Sequence, residues 1–253
     1  MSFVQNWRDV LGSVRAAAPL VHCLSATVSM EIVADGLLAA GARPMMTETL
    51  DEAPIVTTAA DAVLINLGTL STDGMLGIPA TVDVTRDRGV PWVLDPTAIG
   101  LAPVRTALAR TFADLAPTVI RGNASEILVL ADKGSGGRGA DATTSSLEVS
   151  GIAHALAGRL GTVVAMSGAT DVISDGSDLY QVTGGDEMLT QVTGTGCLLT
   201  ALTAACCVVA SPVDAALAAS RWMKAAAETA AARSSGPGSF RMHLLDALNE
   251  EAR

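Results

Sequence analysis

The chain has 253 residues, 49% of them hydrophobic, a formal net charge of −10, and only two lysines, Lys133 and Lys224. That acidity excludes the basic stripe a nucleic-acid partner needs, and the length suits one large α/β domain or two small ones. Cys23, Cys197, Cys206 and Cys207 show neither paired spacing nor C-x-x-C, which argues against disulfides and structural zinc. Trp7, Arg8 and Asp9 interrupt any apolar leader, and the longest apolar stretch, Cys197 to Ala210, is too short to cross a bilayer, so a cytoplasmic protein without a membrane partner is expected.

In chain order, Phe3, Val4, Trp7, Val10, Leu11 and Val14 fall at helical spacing and predict an amphipathic opening helix ended by Pro19. Leu20 to Leu24 reads as a short apolar strand, Ser29 to Ala40 as a helix closed by Gly41, and Pro44-Met45-Met46 as the next strand. Thr49 and Glu52 form a capping-box pattern for a helix ending near Ala60. Ala62 to Asn66 lacks alternation, which implies a strand buried on both faces.

The rhythm repeats through a helix ending at Gly89, a strand Pro91 to Asp95, a helix Val104 to Phe112 and a strand Thr118 to Arg121. A helix follows Ser125-Glu126, then a polar glycine-rich loop from Lys133 to about Asp141, a helix to Leu160 and a strand Thr162 to Met166. Val172-Ile173-Ser174 and Tyr180-Gln181-Val182 predict an edge hairpin, and three helices finish the chain. Alternating α and β elements with doubly buried strands predict one domain built on a mainly parallel sheet covered on both faces. Ligands of such sheets bind beyond the strands' carboxyl ends, here Asn66-Leu67-Gly68, Asp95-Pro96, Arg121-Gly122-Asn123 and Ser167-Gly168.

Val192-Thr193-Gly194-Thr195-Gly196-Cys197 stands where a polar segment becomes an apolar helix. Unpaired N–H groups and the macrodipole at a helix start attract anions, and glycine lets a phosphate approach the backbone, so Gly194, Thr195, Gly196 and Cys197 form a candidate anion hole. Cys197 at its mouth is expected to lose its proton more easily than a free thiol. A glycine turn before a core helix explains the same residues.

Arg121-Gly122-Asn123-Ala124-Ser125-Glu126 fits either a phosphate or magnesium site or a helix cap formed by Asn123 or Ser125, although a cap leaves Arg121 without a role. Asp95 suits magnesium, which prefers carboxylate oxygens and retained waters, or a turn before Pro96. Gly134 to Gly139 matches G-x-G-x-x-G but follows a helix rather than a strand, so it is no dinucleotide fingerprint. Walker A and G-x-S-x-G patterns are absent. His22, Cys206 and Cys207 read as core, as do Met45 and Met46, although methionine at a strand end can also line a pocket.

Together Pro19-Leu20-Val21-His22, Gly36 to Ala42, Asn66 to Leu70, Leu94-Asp95-Pro96, Arg121 to Ile127, Val192 to Cys197 and Gly236 to Phe240 resemble hydroxyethylthiazole kinases of the ribokinase-like superfamily. The cysteine stands where most ribokinase-like enzymes carry aspartate. The resemblance implies an α/β ribokinase-like fold and transfer of the ATP γ-phosphate to the hydroxyl of 4-methyl-5-(2-hydroxyethyl)thiazole in thiamine synthesis or salvage. It further implies Cys197 as catalytic base, Arg121 and Ser167 on ATP, Met46 and Gly194 on the thiazole, and Glu126 and Asp95 orienting Mg2+ directly or through water. A homotrimer with active sites at subunit interfaces is implied as well. The chain departs from the family pattern at Ser25-Ala26, Ala34-Asp35-Gly36, Thr97 to Gly100 and Ser167-Gly168-Ala169. A ribokinase-like kinase of another small alcohol, or a nucleotide-binding regulator without catalysis, are the alternatives.

Overall fold

The structure is a computed structural model that describes residues 6–134 and 149–251. Among these residues eight strands form one sheet: β1 (Leu20–Leu24), β2 (Arg43–Met45), β3 (Ala62–Asn66), β4 (Trp92–Asp95), β5 (Val119–Asn123), β6 (Val163–Ser167), β7 (Asp171–Ser174) and β8 (Leu179–Val182). The spatial order is β2-β1-β3-β4-β5-β6-β7-β8. The first six strands run parallel, and β7 and β8 turn back as an antiparallel edge hairpin. The predicted sheet and its hairpin are therefore present.

Ten α-helices lie among the described residues: α1 (Trp7–Ala17), α2 (Met30–Ala40), α3 (Ala53–Thr57), α4 (Thr72–Arg88), α5 (Pro103–Ala113), α6 (Ala124–Leu130), α7 (Ser150–Leu160), α8 (Thr195–Cys207), α9 (Pro212–Arg233) and α10 (Pro237–Glu251). Successive strand side chains point to opposite faces, which divides the apolar residues between two cores. Val21, Cys23, Leu64, Val93, Val119 and Ala165 face the core shared with α1, α2, α8, α9 and α10. Val63, Ile65, Leu94, Ile120, Val164 and Met166 face the core under α4 to α7. No helix among the described residues is long and apolar enough to cross a membrane.

One predicted start is wrong. Thr49 and Glu52 form no capping box: α3 begins only at Ala53 and ends at Thr57, and Glu52 makes no side-chain cap. Pro54 explains the shift, because a residue without N–H is tolerated only in the first turn of a helix. The Glu52 carboxylate instead accepts the Thr47 hydroxyl at 3.2 Å. Met45 is another correction. It is 41% exposed at the sheet edge rather than core, while Met46 is half-buried against the core. Phe3 and Val4 of the opening helix, and the glycine-rich loop beyond Gly134, lie outside the described residues.

Candidate active site

The chain leaves β1 for β2 on one side and returns to β3 on the other, so strand order reverses between β1 and β3. A crevice opens where neighbouring connections diverge in this way. The period of two then selects what faces it on the α8 side. Continuing Ala62-Leu64 gives Asn66, Val93 gives Asp95, Val119 gives Arg121, and Val163-Ala165 gives Ser167. Four polar residues at or near the carboxyl ends of four adjacent strands therefore look toward one helix.

That helix starts on Gly194, whose φ of 90° is the left-handed conformation that glycine adopts without cost. A β-carbon there would meet Ile32 Cγ2 at 2.6 Å and Ser29 Cβ at 2.9 Å, so the position is closed to side chains by shape as well. The Thr195 hydroxyl donates to the Leu189 carbonyl at 2.7 Å and pins the turn. A β-carbon on Gly196 would lie 2.8 Å from Arg121 Nη1. Glycine at 196 is thus what lets the guanidinium rest against the first turn of α8. Residues 194 to 197 are partly exposed, whereas Leu198 onward is buried, which puts the amide-rich end at the mouth of the crevice.

Arg121 Nη2 donates to Ser167 Oγ at 2.5 Å, and Nη1 lies 3.8 Å from Asp95 Oδ2. Its Nε is buried with no hydrogen-bond partner among the described residues. A guanidinium with only part of its donor fork satisfied is equipped to take an anion. Asp95 accepts the Thr97 hydroxyl at 2.6 Å on one oxygen and the Thr200 hydroxyl at 2.6 Å on the other. Thr200, one turn into α8, ties the helix start to the tip of β4.

Of the two readings left open by this hexapeptide, the helix cap is present, and Glu126 makes a further contact besides. Asn123 caps α6, accepting the Glu126 N–H at 3.0 Å, and Glu126 Oε2 accepts the Asn123 N–H at 2.8 Å in a complete capping box. Oε1 accepts the Ala98 N–H at 2.9 Å. Burial, and then the charge of Asp95, push the Glu126 carboxyl up to about 7, against the pull of those N–H groups and Arg121. A buried Glu126 carboxyl raised by the nearby Asp95 charge suits a divalent cation, so the donor set fits magnesium. Among the described residues no cluster of three or more metal-ligating side chains accompanies the pair.

The cysteine departs from expectation. Asn66 Nδ2 donates to Cys197 Sγ at 3.2 Å, and Asn66 Oδ1 is held by the Gly68 N–H at 2.8 Å, so the amide is oriented with its donor toward the sulfur. Burial, followed by the Asp95 charge, pushes the thiol up to about 11, although Ser29, Arg121 and Asn66 pull the other way. The helix start does not overcome desolvation in a crevice already holding a carboxylate.

Asn66, Asp95, Arg121, Ser167 and the residues from Gly194 to Cys197 are thus brought together, with Glu126 near enough to feel the Asp95 charge. Met46 lies just past β2, which β1 separates from β3 in the sheet. Gly194 packs against Ser29 and Ile32, at the start of the helix that joins β1 to β2. His22 is a satisfied core residue, with Nδ1 2.9 Å from Thr57 Oγ1 and Nε2 3.0 Å from the Thr47 carbonyl. Asn66 and Thr200 acquire clear positions that sequence left without a role. The signal for Thr200 was its spacing, four residues from Gly196 and so on the same helix face. The altered Ser25-Ala26 is buried, and a β-carbon on Gly68 would meet Ala26 Cβ and Asn66 Oδ1 each at 2.9 Å, so Gly68 is closed to side chains there.

Comparison with known proteins points to one family. Residues 11–251 match the model of the hydroxyethylthiazole kinase family. A hydroxyethylthiazole kinase of Gemmatimonas aurantiaca is 44% identical over 240 residues, covering 95% of this chain and 87% of the relative. One from Clavibacter sepedonicus is 46% identical over 242 residues, covering 95% and 88%. The solved structure of a hydroxyethylthiazole kinase protein from Pyrococcus horikoshii OT3 superposes with a TM-score of 0.89 at 34% identity, covering 96% of this chain and 92% of that one. A ribokinase-like superfamily protein from Enterococcus faecalis V583, at 13% identity and a TM-score of 0.68 with 96% and 94% coverage, shares the fold. With a polar row at the strand ends facing a glycine-started helix, and a family match over nearly its whole length, the chain belongs to the hydroxyethylthiazole kinase family.

Proposed function

We propose that this chain transfers the γ-phosphate of ATP to the primary hydroxyl of 4-methyl-5-(2-hydroxyethyl)thiazole, in thiamine synthesis or salvage. The observation that carries the site is the packing of Arg121 against Gly196, with Thr200 of the same helix hydrogen-bonded to Asp95. Positive charge and main-chain N–H groups therefore converge on one point. On this reading Arg121 and Ser167 hold the ATP phosphates, and the amides of Gly194 to Cys197 stabilise the phosphoryl group in flight. Met46 and Gly194 border the acceptor.

Magnesium, when bound, neutralises charge on the phosphates. Glu126 and Asp95 would hold it, and the hydrogen bonds that their oxygens already accept favour contact through its waters. Cys197 aims the alcohol. A thiol pushed up to about 11 keeps its proton at neutral pH, so in the resting enzyme it is not available to accept another. The alcohol oxygen forms a bond to the γ-phosphorus as the bond to the leaving ADP oxygen breaks. The alcohol proton departs late, onto an oxygen of the transferred phosphoryl group and from there to solvent, which a loose transition state permits.

The assembly we infer is a homotrimer with interfacial sites. Support comes from Val28, Leu50, Ile55 and Leu76, all exposed, in segments that follow β1 and β2 or begin α4. The chain is read as one domain working in the cytoplasm, where its four free cysteines stay reduced. The test is ATP consumption with magnesium across a panel of hydroxyethyl heterocycles. Turnover of the thiazole well above the rest is the expected outcome. A different preferred alcohol would overturn the acceptor, and no phosphoryl transfer in a single turnover would overturn the kinase.

A further inference from the structure

Lys224 lies in the middle of α9, with its side chain only 7% exposed. Its Nζ donates to the carbonyls of Gly168 at 3.2 Å, Ala169 at 3.1 Å and Gly184 at 3.1 Å, and stands 3.4 Å from Asp171 Oδ1. An ammonium has three N–H donors, and three carbonyls receive them while one carboxylate offsets the charge. Asp171 Oδ1 also accepts the Gly168 N–H at 3.0 Å, closing the loop upon itself. Three main-chain carbonyls and a carboxylate make an oxygen cage for a monovalent cation, and this chain supplies that cation on a tether.

The cage joins two segments of the candidate site. Gly168 and Ala169 follow Ser167, whose hydroxyl receives Arg121. Gly184 precedes Gly185, whose N–H donates at 2.8 Å to Glu228, one turn along α9 from Lys224. From there the chain passes through the short 3-10 turn Glu187–Gln191 to Gly194. Lys224 thus fastens the loop behind Ser167 to the segment that feeds the start of α8.

We infer that Lys224 and Asp171 are positioning residues for the nucleotide, Lys224 acting as a built-in monovalent cation that sets Ser167 relative to the first turn of α8. This rests on the reading of Ser167 and Arg121 as ATP contacts. A pair serving only stability would lower the folded fraction and leave both Michaelis constants alone. A positioning pair separates them, because a displaced Ser167 weakens ATP and spares the acceptor.

Steady-state kinetics on the full chain decide it. In Lys224→Met, which keeps the apolar stem, KM for ATP rises about tenfold or more while KM for the thiazole alcohol changes less than about twofold. Asp171→Asn, nearly the same shape without the charge, shifts the same constant in the same direction. In Lys224→Ala, ammonium, methylammonium and ethylammonium restore KM for ATP saturably, whereas tetramethylammonium, which has no N–H, does not. Unchanged KM for ATP in folded Lys224→Met, equal rescue by tetramethylammonium, or failure of all three variants to fold would overturn the proposal. Ser167→Ala in the same assay separates the two levels. If it leaves KM for ATP unmoved, the placement of ATP is wrong; if it raises KM while Lys224→Met does not, only the role of Lys224 falls.

Discussion

Replacing Gly194 with alanine places two separate strains on the start of α8. The backbone is at φ 90°, and holding an L-residue in the left-handed region costs about 1–2 kcal/mol. The new methyl also meets Ile32 Cγ2 at 2.6 Å and Ser29 Cβ at 2.9 Å, both on buried residues, and overpacking of that kind adds about 1–3 kcal/mol. The sum is about 2–5 kcal/mol, which for a chain of this size lowers Tm by about 4–20 °C. The strain has one way out, a partial unwinding of the first turn. That moves the amides of Thr195 to Cys197 off the place proposed for the phosphoryl group, and losing one such donor costs about 100- to 1000-fold in kcat. Differential scanning calorimetry and steady-state phosphorylation of the thiazole, run on the same preparation, read both routes. A variant with wild-type Tm and wild-type kcat would refute the assignment of this turn.

Gly196→Ala acts on a different partner. Its β-carbon displaces the Arg121 guanidinium, so KM for ATP is expected to rise about tenfold with little change in Tm; an unchanged KM in a folded variant would count against Arg121 as an ATP contact. Because the Cys197 thiol already holds its proton at neutral pH, Cys197→Ser retains measurable turnover, while Arg121→Ala loses about 100-fold or more in kcat/KM. A dead serine variant beside a near-normal Arg121→Ala would reverse that ranking. Glu126 is pushed up to about 7 from an ordinary 4.5, so the folded state binds the extra proton between those values. Its contribution to stability is therefore present below about 4.5 and lost as pH rises to 7, by about 3 kcal/mol at most. Urea unfolding should show that slope in the wild type and not in Glu126→Gln, and magnesium should raise Tm more at pH 8 than at pH 5.5. Parallel pH profiles for the two proteins would exclude Glu126 as the source.

Most of the architecture was legible before any coordinates. Apolar runs such as Ala62 to Asn66 and Leu20 to Leu24, bounded by proline, glycine and caps, mark strands that only a sheet covered on both sides can bury. The hairpin of β7 and β8 and the glycine closing α2 were legible for the same local reason. Thr49 and Glu52 misled because a capping pattern does not by itself start a helix, and Pro54 a few residues on fixed the start instead. Met45 misled because hydrophobicity says that a side chain prefers burial, not that an edge strand provides it.

Residue order alone determined the fold class, the strand ends where chemistry would lie, and the glycine-started helix beside Cys197, since each follows from local propensity and periodicity. Only tertiary structure decided that Arg121 rests on Gly196, that Thr200 answers Asp95, that Asn66 aims at the sulfur, and that Lys224 stands within hydrogen-bond reach of three carbonyls. Those partners are separated by roughly 40 to 130 residues in the chain. The same packing raised the Cys197 thiol rather than lowering it, because desolvation and a neighbouring charge are properties of the assembled crevice, which no local spacing contains.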